Sequence, residues 1–199
     1  MPKVAKAKDD RVYQLKVTLK DTKPPIWRRI LARADTRLGD LHVILQVVMG
    51  WTDSHLHQFI AKGQYFGAPT DDGIAEASDE DEFTLGQVVR AERSKLVYEY
   101  DFGDGWMHDV LVEEIRPVEA KAKYPRCVDG KRACPPEDCG GVWGFYNMLE
   151  AVRDPKHPEH DDLVEWLGDE FDEEAFDLDA VNKDLSRLSK QSRAWRMFG

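Results

Sequence analysis

Long apolar runs are missing from this chain. No stretch approaches the roughly 18 consecutive apolar residues that a membrane-crossing helix needs, so the sequence predicts no membrane partner. The basic opening, Met1-Pro-Lys-Val-Ala-Lys-Ala-Lys8, has no apolar segment behind it and does not read as a secretory signal. Cysteine is scarce, with three in 199 residues, all between 127 and 139. That is too few for a disulfide-built scaffold, and it points to the reducing cytoplasm. Net positive charge is missing too. At −10 the chain disfavours the nonspecific attraction to phosphate that drives most nucleic-acid binding. Metalloprotease helices and phosphate-binding loops are absent. Gly103-Asp-Gly105 is no dinucleotide loop, because it has neither a third glycine nor a following helix.

What the chain does have is a core. Hydrophobic residues make up 42% of it, with six Trp, six Tyr and eight Phe, which fits one large domain. Acid concentrates in 71–82 and 159–179, while both ends are basic. Residues 1–10 read as a disordered basic tail, 11–188 as one domain, and 189–199 as a basic C-terminal tail. A basic end could touch an anionic partner, but a solvated tail explains it as well.

Tyr13, Leu15, Val17 and Leu19 alternate with polar residues, the period of a half-buried strand. Strands are also predicted over 26–34, 55–61 and 64–66. The sharpest hairpin joins 96–102 to 106–115 around Gly103-Asp104-Gly105. Thr36 is placed to cap a helix over 37–49 that Gly50 ends, and Thr84 to cap a short one through Val89. Further helices are expected over 145–152, 162–167 and 179–188. Residues 67–82 read as an acidic surface loop, and the cysteine segment as a Pro/Gly-rich excursion. Strands first and helices later make the fold class α+β: a mainly antiparallel sheet with helices packed on it, ending in C-terminal helices.

Three groups of side chains are candidates for chemistry. Cys134 and Cys139 are spaced much like a zinc ligand pair, and Cys127 would be a third thiolate if the loop curls. A tetrahedral zinc needs a fourth ligand, for which His157 or His160 comes first and His108 is more distant. Inert buried thiols that shape a loop, or a disulfide, account for the same residues. His55 and His57, two apart, would share one face of a strand and could chelate a divalent metal. If Asp104-Gly105 is a two-residue turn, Asp101 faces His108, a carboxylate–imidazole pair of the kind that serves general-base and metal sites. If Gly103 joins the turn, that pairing fails.

Several stretches together resemble the plasmid pRiA4b ORF-3-like family: Pro25-Ile26-Trp27-Arg28-Arg29, Leu41-His42 with Gly50-Trp51, His55-Leu56-His57-Gln58-Phe59, the run from Tyr100 to His108, the run from Arg132 to Gly141, His157-Pro158-Glu159-His160 and the segment 176–185. The resemblance spans about 12–185. It implies a compact α+β domain encoded on or near plasmids and mobile elements, and it implies no reaction. Three functions follow. The leading one is a noncatalytic accessory or binding protein, with a structural zinc at the cysteines and a protein partner. The second is a metal-dependent hydrolase built from His55, His57, Asp101 and His108. The third is a nucleic-acid-associated regulator.

Overall fold

Alternation of apolar and polar residues builds the sheet. A computed structural model describes residues 9–68, 77–168 and 171–198, from 189 onward as backbone only. On β1 (Arg11–Leu19), Tyr13, Leu15, Val17 and Leu19 are buried while Gln14, Lys16 and Thr18 face the other side. The same alternation buries Leu96, Tyr98 and Tyr100 of β6 (Lys95–Tyr100), and Trp106, His108, Val110 and Val112 of β7 (Trp106–Pro117). The other strands are β2 (Trp27–Arg33), β3 (His57–Ala61), β4 (Gln64–Gly67), β5 (Ser78–Asp79) and β8 (Arg126–Lys131). They lie in the order β5-β4-β3-β6-β7-β1-β2-β8, antiparallel throughout except that β4 and β5 run parallel.

Helix α1 (Leu38–Met49) puts Leu38, Leu41, Leu45 and Val48 into the core, and α3 (Gly141–Arg153) adds Phe145, Met148 and Leu149. Helices α2 (Leu85–Val88), α4 (His160–Leu167) and α5 (Leu178–Phe198) complete the set. The domain is thus α+β, as its pattern of elements predicts. No helix among the described residues is long and apolar enough to cross a membrane.

Arg28 carries its charge into this core, at 2% exposure. Its guanidinium donates to the carbonyls of Val48 (2.7 Å), Trp27 (2.9 Å) and Lys131 (2.9 Å), and lies 4.2 Å from the centre of the Phe176 ring. Val48 is in the last turn of α1, whose carbonyls have no partner within the helix. Arg28 therefore ties the C-terminal end of α1 to β2 and β8, with its cation at the favourable end of the helix dipole.

Some boundaries differ from the sequence expectation. Thr36 does not cap α1. Residues 36 and 37 bridge to Thr84, with the Leu38 amide donating to Phe83 O and the Leu85 amide to Thr36 O, so Arg37 stands at the helix entry in extended geometry. Thr84 does cap α2, in a capping box with Gln87. The cysteine segment is not wholly an excursion: its first part is the edge strand β8, where only Cys127 is buried. Asn182 of α5 closes that edge. Its side chain accepts from the Cys127 amide (2.9 Å) and donates to the Cys127 carbonyl (2.8 Å), the pair of bonds a neighbouring strand would make. Helix α5 also runs past residue 188, through Phe198. Of the expected disorder over 1–10, residues 1–8 fall outside the described residues, as does half of the expected 67–82 loop, residues 69–76. The part of that loop from 77 to 82 forms β5 and a 3-10 turn, Glu80–Glu82.

Gly144 allows the cysteine loop to close on α3. A Cβ there would stand 1.9 Å from the Cys139 carbonyl oxygen, a backbone atom that cannot step aside. Gly144→Ala is expected to lower stability by about 2 kcal/mol and the melting temperature by roughly 4–8 °C in a thermal scan. An unchanged melting temperature would contradict this packing.

Candidate functional site

Two histidine–carboxylate groups form at the end of the sheet where α1 gives way to β3. The first starts on α1. His42 and Gln46, one turn apart, share a helix face and are both buried. Gly50 (φ 93°) then ends the helix in the left-handed region, and the chain turns through Asp53, itself at φ 58°. The Asp53 amide donates to Gln46 Oε1 (2.9 Å), which leaves Gln46 Nε2 to donate to the Tyr98 hydroxyl (2.9 Å). That hydroxyl lies 2.8 Å from His42 Nδ1, and His42 Nε2 lies 2.7 Å from Asp53 Oδ1, closing a ring of four residues. His57, at the start of β3, stacks on His42 with ring centres 3.4 Å apart and planes within 3°. Its Nε2 is 2.9 Å from Glu80 Oε2, and Glu80 is buried. Burial, and next the neighbouring His57, hold the His42 pKa below the ordinary histidine range. Burial raises that of Tyr98.

The second group is His55 with Asp101 (Nδ1 to Oδ2, 3.7 Å) and Asp138 (Nε2 to Oδ1, 3.3 Å). Three loops meet around it. Tyr100 accepts from the Ser54 amide (3.0 Å) and donates to Glu137. Trp51 stacks on Tyr100 at 5.0 Å and donates from Nε1 to the Pro135 carbonyl (2.9 Å). The Gly140 amide donates to Asp104 (3.2 Å). Asp53, Asp101 and Asp138 all have left-handed backbones (φ 58°, 55° and 61°), a conformation that costs about 1 kcal/mol each and that clusters at binding sites. Leu56, Phe102 and Trp143 are exposed on or beside these loops.

The sequence-predicted residues separate. His55 and His57 do not share a face, because the strand begins only at His57; His55 lies in the preceding irregular segment and joins the second group. Asp101 does not face His108. The hairpin turn spans 101–105, with the Gly105 amide on Asp101 O, so Tyr98 is opposite His108 and Asp101 turns its carboxylate onto the Gly103 and Asp104 amides. His108 is fully buried, its Nδ1 donating to Tyr98 O (3.3 Å) and its Nε2 without a partner. Burial pushes its pKa down to about 4.

The thiols are likewise apart from these groups. Among the described residues, two sets of three metal-competent atoms lie within 4.8 Å of one another: His42, Asp53 and His57, and His55, Asp101 and Asp138. Neither includes Cys127, Cys134, Cys139, His157 or His160. Cys127 donates to Asp129 O (3.4 Å), His160 Nδ1 lies 3.0 Å from Ala151 O, and His157 Nδ1 accepts from the Glu159 amide (3.2 Å). Burial raises the pKa of all three thiols, that of Cys139 to about 12, so they stand as neutral thiols. His42 and Glu80 were not among the predicted site residues. His42 sits on a helix face that reads as core. Glu80 sits in an acidic run with no motif.

Fold and site together define an α+β domain whose sheet end carries paired histidines and carboxylates. The chain belongs to the plasmid pRiA4b ORF-3-like protein family, whose model matches residues 11–180. It is 36% identical over 180 residues to the uncharacterized protein y4hQ of Sinorhizobium fredii (strain NBRC 101917 / NGR234), covering 89% of this chain and 92% of the relative. It is also similar to a protein of unknown function, MM3350 from Methanosarcina mazei Go1, seen in a crystal structure. There the TM-score is 0.79 at 41% identity, over 85% of this chain and 96% of that one.

Proposed function

We propose that the chain is a noncatalytic binding domain, an accessory protein of plasmids or mobile elements, that takes a protein segment presenting Lys or Arg. The observation that carries this is the composition of the three braced loops. Residues 51–56, 101–105 and 135–140 hold five carboxylates (Asp53, Asp104, Glu137 and Asp138 at least partly exposed, and Asp101 buried beneath them) and no Lys or Arg, with Leu56 and Phe102 exposed among them. A cationic side chain flanked by apolar residues complements such a surface, whereas a phosphate backbone is repelled by it. The nucleic-acid reading thus has no support in these loops. The hydrolase reading keeps one favourable observation, the His42–Asp53–His57 group, but not the buried His108. The three free thiols suit a reducing compartment, and the cytoplasm is the proposed location.

Selection from a random heptapeptide library is expected to return sequences with a basic residue beside an apolar one. Asp138→Asn and Phe102→Ala should each weaken such peptides about tenfold, or about 1.4 kcal/mol, without changing the melting temperature. Peptides that lack a basic residue, or that bind both variants as tightly as the parent, would overturn the proposal.

A further inference from the structure

The His42–His57 stack asks for an explanation that the loop-end reading does not give. Two imidazolium rings 3.4 Å apart would repel by about 5 kcal/mol at an effective dielectric of 20. Each ring faces its own carboxylate, Asp53 or Glu80. Two imidazoles and two carboxylates are thus gathered in one place, with His42 and Glu80 at 4% and 6% exposure. A shared metal cation is a partner that such a set of donors can hold together.

We propose that His42, Asp53 and His57 bind one divalent first-row transition metal, zinc foremost, with Glu80 beside them as the second carboxylate. The donor atoms of the three already lie within 4.8 Å of one another, and tetrahedral zinc at about 2.1 Å from each would draw them to about 3.4 Å. An imidazole pair with carboxylates suits zinc, cobalt, nickel or manganese and not calcium or magnesium, which prefer oxygen donors. The surrounding bonds are of the kind that orient metal-ligating histidines. Because Gln46 donates to the Tyr98 hydroxyl, that hydroxyl can give its proton to His42 Nδ1 or accept one from it. The second arrangement leaves the Nε2 lone pair free at the Asp53 side. Metal entry then needs a change of tautomer and a turn of the Tyr98 O–H, with no net proton lost from the ring, together with a small closing and splaying of the stacked donors. The ligands come from a helix, a braced turn and a strand, which bring them near one another before metal arrives. This inference shares Asp53 with the peptide-binding surface; His57→Gln tests the metal alone, and Asp138→Asn and Phe102→Ala test the peptide alone.

The test uses the full chain without an affinity tag, stripped with chelator and loaded with Zn2+ or Co2+. About one equivalent is expected to remain after desalting, measured by elemental analysis. The Co2+ form should show d–d bands without sulfur-to-metal charge transfer. Asp53→Asn, which keeps a residue tolerant of the left-handed backbone, and His57→Gln should each weaken binding by about 100-fold or more while the metal-free protein melts as the parent does. Cys134→Ser should bind as the parent. The proposal fails if the parent retains no metal. It also fails if a charge-transfer band disappears in Cys134→Ser, or if both site variants bind like the parent.

Discussion

Arg28→Met is expected to lower the free energy of unfolding by about 3 kcal/mol, because it strips the donor from one buried and two partly buried carbonyls at about 1 kcal/mol each. Methionine fills much of the volume and removes the cost of burying a charge, so the loss reflects hydrogen bonding and not a cavity. The carbonyls of Val48, Trp27 and Lys131 belong to three elements, α1, β2 and β8. The variant should therefore loosen the C-terminal end of α1 as well as the sheet. Urea unfolding at constant slope would measure it. A change below about 1 kcal/mol would mean that water replaces the guanidinium.

Acid should destabilise the protein in a window set by His108. Its folded pKa of about 4 lies below the unfolded value of 6.5. Between those values the unfolded chain binds a proton that the folded chain does not, so stability rises with pH there. The contribution is complete above about pH 6.5 and is lost as the pH falls toward 4, by up to about 3 kcal/mol. Between pH 7.5 and pH 5 the expected loss is about 2 kcal/mol, and His42, also shifted down, adds to it in the same direction. The lowered carboxyl of Glu113, held by Arg29 at 2.6 Å, acts only below its unfolded value of 4.5 and leaves this window clear. Urea midpoints at the two pH values measure the effect. His108→Leu, which removes the titrating ring and its unpaired Nε2, should flatten the dependence; an equally steep one in that variant would refute the assignment.

The frame of this fold was legible because its signals are periodic. Tyr13, Leu15, Val17 and Leu19 announce a one-sided strand, and Gly50 ends α1 as its chemistry requires. What was hidden is non-local. Strand β8 lacked a signal because an edge strand covered by one amide needs little apolar alternation. The Asp101–His108 pairing depended on a turn length that Gly103-Asp104-Gly105 leaves ambiguous, and Asp101 itself entering the left-handed region decided it. His42 and Glu80 are 38 positions apart and come to the same imidazole stack only through the pairing of β3, β4 and β5. Residue types alone could nominate His57, but not the ring it stacks on.

Asn182 comes 55 residues after the cysteine whose backbone it engages. During synthesis, the outermost strand of the sheet therefore exists before the side chain that seals it. For that interval the strand offers a free N–H and C=O to any extended segment nearby, including the same strand of another nascent chain. Arg126, Asp129 and Lys131, spread along a strand with a glycine at 130, are the charges that make such a pairing poor until the last helix arrives.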